Sequence, residues 1–407
     1  MKYVVIIGDG MADYPVESIK GKTPLMAART PHMDWLARHG EMGLVRTVPD
    51  GFNPGSEIAN LSIFGYDPLL YYTGRGPLEA VSLGVKLKGD DLAFRCNLVT
   101  LQTQGSKVIM DDFSAGHITD SEAREIISDL NRGMGTEEIQ FHFGLSYRHL
   151  MVMGNGASKF SKLERLELTP PHDIIGQEIS PFLPEGRGPE DQILTLMAES
   201  QGLLKDHPVN LRRRAKGLPP ANSIWLWGQG RSPQMVSLKE RFVMDGYVIS
   251  AVHLIRGIGI LAGLEVLNVP GITGYFDTNY EGKGQYALKG LEERDFVYVH
   301  VEAPDEAGHM GDLQLKIEAI EAFDEKVVGT ILRGLRKFEN FRIMVLPDHP
   351  TPLAIKTHTA DPVPFVIYSS EDQGKKESAG TFDETSAKQS GIFIEKGFEL
   401  IERFLTS

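Results

Sequence analysis

Cysteine occurs once in these 407 residues, at Cys96, so no intrachain disulfide can form and a reducing cytoplasm is the expected setting. Long apolar runs are missing as well: nothing approaches the roughly 20 residues that a membrane span requires. Basic charge is in deficit, with 42 Lys and Arg against 55 Asp and Glu. The resulting −13 argues against nucleic acid or an anionic membrane as a partner. The first residues enter a strand pattern directly, without the basic segment and cleavage site of an exported chain. Internal repeats and low-complexity tracts are absent. So is a GxxxxGK[ST] phosphate loop: Gly21-Lys22-Thr23 has the tail of one, but Val16 stands where the first glycine belongs. An anionic substrate would therefore need a local basic pocket in an acidic protein.

Three short apolar runs are present, and each ends on an aspartate. Lys2–Ile7 is followed by Gly8-Asp9-Gly10, Phe296–Val301 leads to Asp305, and Ile343–Leu346 is stopped by Pro347 before Asp348 and His349. Continuous β-branched runs of this length read as strands buried on both faces, as in a parallel sheet. Open α/β sheets place ligands outside the carboxyl ends of their strands. Helical patterns cover Thr30–Gly40, with Thr30 as N-cap and Pro31 in the first position, and Leu313–Phe338, whose apolar face would cover the sheet. Ile392–Leu405 reads as a closing helix. Gly257-Ile258-Gly259-Ile260-Leu261-Ala262 matches a dinucleotide fingerprint but opens from Arg256 as an ordinary helix.

The character changes near residue 86. Strand patterns follow at Phe94–Leu101, Ser146–Met153, Ser223–Trp227 and Tyr247–Val252, with helical ones at Ser121–Arg132, Glu190–Lys205 and Val236–Val243. Turn-forming residues punctuate 186–189 and 217–220. We expect two domains, a core of 1–85 and 266–407 and an insert of 86–265. His117, Arg148, Arg212 to Arg214 and Arg231 are the insert's candidate anion binders, although most surface arginines are only solvated.

Asp9, Asp305 and Asp348 would meet on one sheet edge, with His309, His349 and His358 close by in sequence. Clustered carboxylates repel and their pKa values should be forced up, a penalty that divalent cations remove. Mixed carboxylate and imidazole donors suit manganese best, with magnesium or zinc as alternatives. Two ions are the usual device for stabilising both attacking and leaving oxygens in phosphoryl displacement. Ser56 follows Pro54-Gly55 and opens an amphipathic run. Alone, it is a plain N-cap serine. Next to a metal, at the positive end of a helix, it becomes a nucleophile, and the convergence favours that reading.

The Gly8–Gly10 GDG, PGSEIANLSIFGYDP, YYTGRGPLEA, PDEAGH and the PDHPTP…HTADPVP pair, in this order over essentially the whole chain, resemble cofactor-independent phosphoglycerate mutases of the archaeal type, in the alkaline phosphatase superfamily. The resemblance implies an alkaline-phosphatase-like α/β core, with a mostly parallel central sheet flanked by helices, and an inserted smaller α/β domain. It implies two divalent ions, manganese first, with magnesium, zinc or cobalt as alternatives. One would be held by Asp305, His309 and His358, the other by Asp9, Asp348, His349 and the Ser56 oxygen. Ser56 would be phosphorylated in turn, interconverting 3- and 2-phosphoglycerate without bisphosphoglycerate. His117, Arg148, Arg213 and Lys283 match substrate-contacting positions. The partner is then a small phosphorylated metabolite, and self-association is left open. The chain departs from the archaeal pattern at Asn60, where those proteins usually carry histidine. Around Ser56 it is closer to a bacterial sister group proposed as homoserine kinases, which makes homoserine phosphorylation the alternative.

Overall fold

The computed structural model describes residues 1–156, 163–185, 188, 190–372 and 380–406; the turn expected at 186–189 lies, apart from Gly188, outside them. Among the described residues the strands are β1 (Lys2–Gly8), β2 (Glu41–Val45), β3 (Leu92–Gln104), β4 (Lys107–Asp112), β5 (Ile139–Leu145), β6 (Arg148–Met153) and β7 (Ser223–Gly230). They continue with β8 (Gly246–Ile249), β9 (Glu265–Val266), β10 (Phe296–Val301), β11 (Phe341–Leu346), β12 (Val363–Ser369) and β13 (Phe393–Ile394). The chain divides into two compact units, residues 1–72 with 234–407, and residues 73–233.

The first unit is built on an eight-stranded sheet in the order β13-β2-β12-β11-β1-β10-β8-β9. β1 lies between β10 and β11, parallel to both, with Tyr3 opposite Phe296 and Arg342. The three runs that end in aspartate are thus adjacent. Every residue of β10 is buried, which explains why its sequence shows no polar alternation. Burying each of its large apolar side chains contributes about 1.5–3 kcal/mol. β12 runs antiparallel to β11 and to β2, and the remaining pairings are parallel.

The helix Pro31–His39 forms where Pro31 predicts it, but Thr30 makes no side-chain cap. Asp324 supplies the cap from elsewhere in the chain, accepting from the backbone N–H of His32 at 3.2 Å and of Met33 at 2.7 Å. Leu313–Leu335 is one helical stretch, as the apolar stripe requires, with a π-helical segment at Phe323–Val328. His253–Leu261 is an ordinary helix, so its glycines form no dinucleotide loop. Two expectations fail here. By sequence Tyr247–Val252 falls in the insert, but β8 pairs with β10 and belongs to the large sheet, whose unit resumes at Gln234. The tail is only partly helical: β13 pairs with β2, and the helix proper is Leu400–Thr406.

The second unit holds β3–β7 and begins at Thr73, earlier than residue 86. All its pairings are antiparallel, with long β3 taking β6 and β7 along its first part and β4 along its last. The helices Asp120–Met134 and Glu190–Leu204 bury Ile126, Leu130, Ile193 and Leu196 in its core with Trp225 and Cys96. Cys96 is fully enclosed, and burial pushes its thiol well above the ordinary value, so it is a core residue and not a reactive one. No helix among the described residues is long and apolar enough to cross a membrane.

Candidate active site

All seven expected metal ligands lie in the first unit, and the sheet explains how. β1 ends at Gly8, so Asp9 stands at its carboxyl end, with its N–H donating to the Val301 carbonyl at 2.9 Å. β10 ends at Val301 and the helix Ala303–Met310 follows, placing Asp305 and His309 one turn apart on a single face. β11 ends at Leu346 and delivers Asp348 and His349. Gly10 makes the close approach of these ends feasible. Its φ is +61°, and a Cβ there would sit 2.5 Å from both Asp305 Oδ1 and Thr351 Oγ1.

Asp305, His309 and His358 form one cluster. His309 Nε2 is 3.1 Å and His358 Nε2 3.4 Å from the Asp305 carboxylate, and the two Nε2 atoms are 3.0 Å apart. His309 Nδ1 lies 3.0 Å from the Lys356 carbonyl oxygen, which aims Nε2 at Asp305. Thr351 Oγ1 donates to Asp305 Oδ1. The second set surrounds His349, whose Nε2 is 3.1 Å from Ser56 Oγ, 3.6 Å from Asp9 Oδ1 and 3.5 Å from Asp348 Oδ2. Asp348 Oδ1 accepts from Gly10 N at 3.1 Å and from His349 N at 2.9 Å. Ser56 is half-buried and starts the helix Ser56–Ile63, with Gly55 as its N-cap.

Divalent cations fit these donors. Asp9 Oδ1 is buried with no hydrogen-bond partner among the described residues, and three groups of ligand atoms lie within 4.8 Å of one another. The groups are Asp305, His309 and His358; Asp9, Asp305 and His349; and Asp9, His300 and Asp348. Charge in the cluster is distributed unevenly. Burial, then the charges of Asp348 and Asp305, pushes the Asp9 carboxyl well above the ordinary range. Asp305 does not follow: burial acts to raise it, but the hydrogen bonds from His309 and His358 hold it well below. Asp348 is also low: burial acts to raise it, but attraction to the protonated forms of His349 and His300 at the acid pH where it titrates outweighs that. Only one of the three carboxyls is therefore forced up, where the sequence suggested all three. Imidazolium takes part of the role that a cation would fill.

His300 is the ligand-type residue that the sequence reading missed. It is buried in β10, its Nε2 is 3.2 Å from Asp9 Oδ2, and burial pulls it down to about 4, so it is neutral. Neither ring nitrogen makes a well-aligned hydrogen bond among the described residues. A histidine inside FVYVHV is the available signal, and it reads as filler in a run of apolar residues.

Lys316 fixes the loops beneath the first cluster. It is fully buried, and its Nζ donates to Asp13 Oδ2 at 2.7 Å and to the Thr351 carbonyl at 2.8 Å. Asp13 in turn accepts from the Leu353 N–H at 3.2 Å. Replacing Lys316 with methionine leaves that carboxylate buried and uncompensated, and is expected to cost about 3–5 kcal/mol. Urea unfolding of the metal-free protein measures this; an unchanged midpoint would show the pair to be energetically idle.

The four expected substrate contacts separate. Lys283 is fully buried in the first unit, where Nζ donates to the His300 carbonyl at 2.7 Å; burial lowers it to about 8. In the second unit, His117 and Arg148 are exposed and both lie near the Tyr147 ring, at 6.1 Å and 5.1 Å. Arg213 is a correction. It is buried, and its guanidinium donates to the Pro219 carbonyl at 2.8 Å, the Glu122 carboxylate at 2.7 Å and the Ala115 carbonyl at 2.5 Å. Those acceptors use the charge internally, so Arg213 fixes the loop that carries His117 and is not open to a substrate. Arg231 pairs with Glu164 at 2.8 Å.

The sequence model of the family described as 2,3-bisphosphoglycerate-independent phosphoglycerate mutase matches residues 37–210. The chain is 55% identical over 405 residues to a probable 2,3-bisphosphoglycerate-independent phosphoglycerate mutase of Geobacter sulfurreducens, covering 100% of both. It is 51% identical to the enzyme of that name from Methanosarcina barkeri, covering 98% of each. Among solved structures, the PH0037 protein from Pyrococcus horikoshii is similar with a TM-score of 0.80 and 29% identity, covering 99% of this chain and 96% of that one. The cofactor-independent phosphoglycerate mutase from Thermoplasma acidophilum gives 0.60 and 26%, covering 100% and 99%.

Proposed function

This chain belongs to the family of 2,3-bisphosphoglycerate-independent phosphoglycerate mutases, and from that membership we propose a metal-assisted transfer through a phosphorylated Ser56. The observation that carries this reading is Ser56 Oγ standing 3.1 Å from His349 Nε2, among the carboxylates and imidazoles of the cluster. Two divalent ions, held by Asp305, His309 and His358 and by Asp9, Asp348, His349 and Ser56 Oγ, would stabilise charge on the phosphoryl oxygens and lower the serine pKa. Manganese is the best match to those donors.

Ser56 Oγ bonds to the phosphorus of 3-phosphoglycerate as the bond from phosphorus to the 3-oxygen breaks. The serine proton passes, net, to the freed 3-oxygen. The glycerate stays bound; its 2-oxygen bonds to the phosphorus as the bond from phosphorus to Ser56 Oγ breaks, and the 2-hydroxyl proton passes, net, to Ser56 Oγ. The helix beginning at Ser56 turns its positive end toward the transferred group. Lys283 contributes a fixed positive charge, coupled to Asp9 and Glu302. In the second unit, His117 and Arg148, both near the Tyr147 ring, are assigned to an anionic group of the substrate. Water must be kept from the phosphoserine, or the enzyme becomes a phosphatase.

An enolase-coupled assay with added Mn²⁺, no nucleotide and no bisphosphoglycerate tests this beside a homoserine and ATP assay. Interconversion of 2- and 3-phosphoglycerate is expected in the first and no product in the second. Homoserine phosphorylation without mutase activity, or release of free phosphate alone, would overturn it.

A further inference from the structure

Asn60 is fully buried one turn beyond Ser56, and the reaction as written makes no use of it. Its side-chain amide makes three contacts. Nδ2 donates to the Ser56 carbonyl at 2.9 Å and to Asp348 Oδ2 at 2.8 Å, and Oδ1 accepts the hydroxyl of Tyr298 at 2.6 Å. Both amide protons and the amide oxygen are therefore engaged, the most a buried asparagine needs to avoid a desolvation penalty. The orientation of the amide follows from its neighbours. Exchanging Oδ1 with Nδ2 would set an oxygen against a carboxylate and a carbonyl, two repulsions in place of two bonds. Tyr298 reinforces this: buried in β10 and stacked on Phe64 at 4.0 Å, it stays protonated and acts as a donor.

We propose that Asn60, locked by Tyr298, is a positioning residue that ties the backbone of the nucleophile to the carboxylate of a metal ligand. The residue carrying Oγ and the carboxylate expected to hold the adjacent ion are joined through one NH₂ group. Neither can shift without straining a hydrogen bond to the other. A bond from an asparagine side chain to the carbonyl four residues earlier is by itself only local helix chemistry. The second donation, to Asp348 from a residue 288 positions away, makes it a link between two elements of the site. The inference rests on the proposed pairing of Ser56 with Asp348.

Asn60→Leu removes both donors and leaves Asp348 Oδ2 and the Tyr298 hydroxyl short of partners. Lost outer contacts of this kind typically cost 10–100-fold in metal affinity or activity, so a drop of about that size is expected in Mn²⁺ affinity and in kcat, with KM little changed. Tyr298→Phe, which leaves the amide oxygen without its donor, should shift both in the same direction by less. Asn60→His keeps one donor for Asp348 and one acceptor for Tyr298, and should recover part of the loss. The double variant Asn60→Leu, Tyr298→Phe should be no worse than Asn60→Leu alone, because both act through one network. Mn²⁺ titration of the metal-free variants reads affinity without any turnover, so it tests the link even if the chain proved not to be a mutase. A lowered unfolding midpoint with unaltered Mn²⁺ affinity and kcat would overturn the proposal, as would losses that multiply in the double variant. If Asn60→Leu does not fold, Tyr298→Phe and Asn60→His decide by the same readouts.

Discussion

Replacing Ser56 with alanine is expected to lower mutase turnover by at least about 10⁴-fold while Mn²⁺ still binds at Asp305, His309 and His358. The asymmetry follows from the geometry. The ligand atoms of those three residues lie within 4.8 Å of one another and could hold an ion, with His309 and His358 both directed at one carboxylate, and Ser56 is not among them. Ser56 Oγ is instead placed against His349, in the second set. An alanine at the first position of an eight-residue helix has good helix propensity, so folding should be little affected. The activity is measured by coupled assay, and metal content by titration of the stripped variant. Mass spectrometry of the wild-type protein with substrate should also find one phosphoryl group on the peptide containing Ser56. Turnover that persists in the alanine variant would remove the serine from the chemistry.

Metal uptake should depend steeply on pH. With no ion bound, burial alone would lower His309 and His358, but hydrogen bonding to Asp305 and its charge push His309 up to about 9 and raise His358 as well. A ligating imidazole must be neutral, so binding has to expel those protons. Below both pKa values, two expelled protons make affinity fall by up to about 100-fold for each pH unit. The metal-free fold follows the same linkage with a definite sign. The two histidines hold protons more tightly folded than unfolded, so their contribution is fully present below the ordinary value of 6.5; that of His309 is lost as pH rises through about 9, and that of His358 as pH rises through its own raised value. Asp305 is shifted downward, so its contribution is present above the ordinary carboxyl value and disappears as acid protonates the folded form. Stabilisation by Mn²⁺ should therefore grow from about pH 6 to about pH 9, since the protonated pair competes with the ion least at the alkaline end. Thermal unfolding with and without Mn²⁺ across that range, with proton release in weak buffer, measures this. An affinity independent of pH would mean that the imidazoles are not ligands.

The residues that assemble the site were legible because burial on two faces leaves an unmistakable trace. KYVVII, FVYVHV and the run ending VL before Pro347 have no polar alternation, and each lies in the middle of the sheet. Edges were less legible. β4 and β5 are partly exposed, so their side chains do not declare a face. β8 resembled the strands just before it in sequence, and only pairing with β10 assigns it to the large sheet. Arg213 looked like its neighbours in an arginine triplet; its burial depends on Glu122, Ala115 and Pro219, which local spacing cannot bring together. The cap of the helix Pro31–His39 comes from Asp324, and Asn60 is fixed by Tyr298, both through contacts across more than 200 residues. Pattern reading finds what a segment needs, but not which distant side chain supplies it.

The placement of β1 also bears on how the protein is made. Its two neighbours, β10 and β11, begin at Phe296 and Phe341, so the strand leaves the ribosome with both hydrogen-bonding edges bare. Residues 73–233 can close on themselves in the meantime, whereas the groups around Asp9 cannot be complete until His349 has been synthesised. At translation rates of about 5–20 residues per second, that interval lasts tens of seconds, during which an apolar strand must avoid partners other than its own.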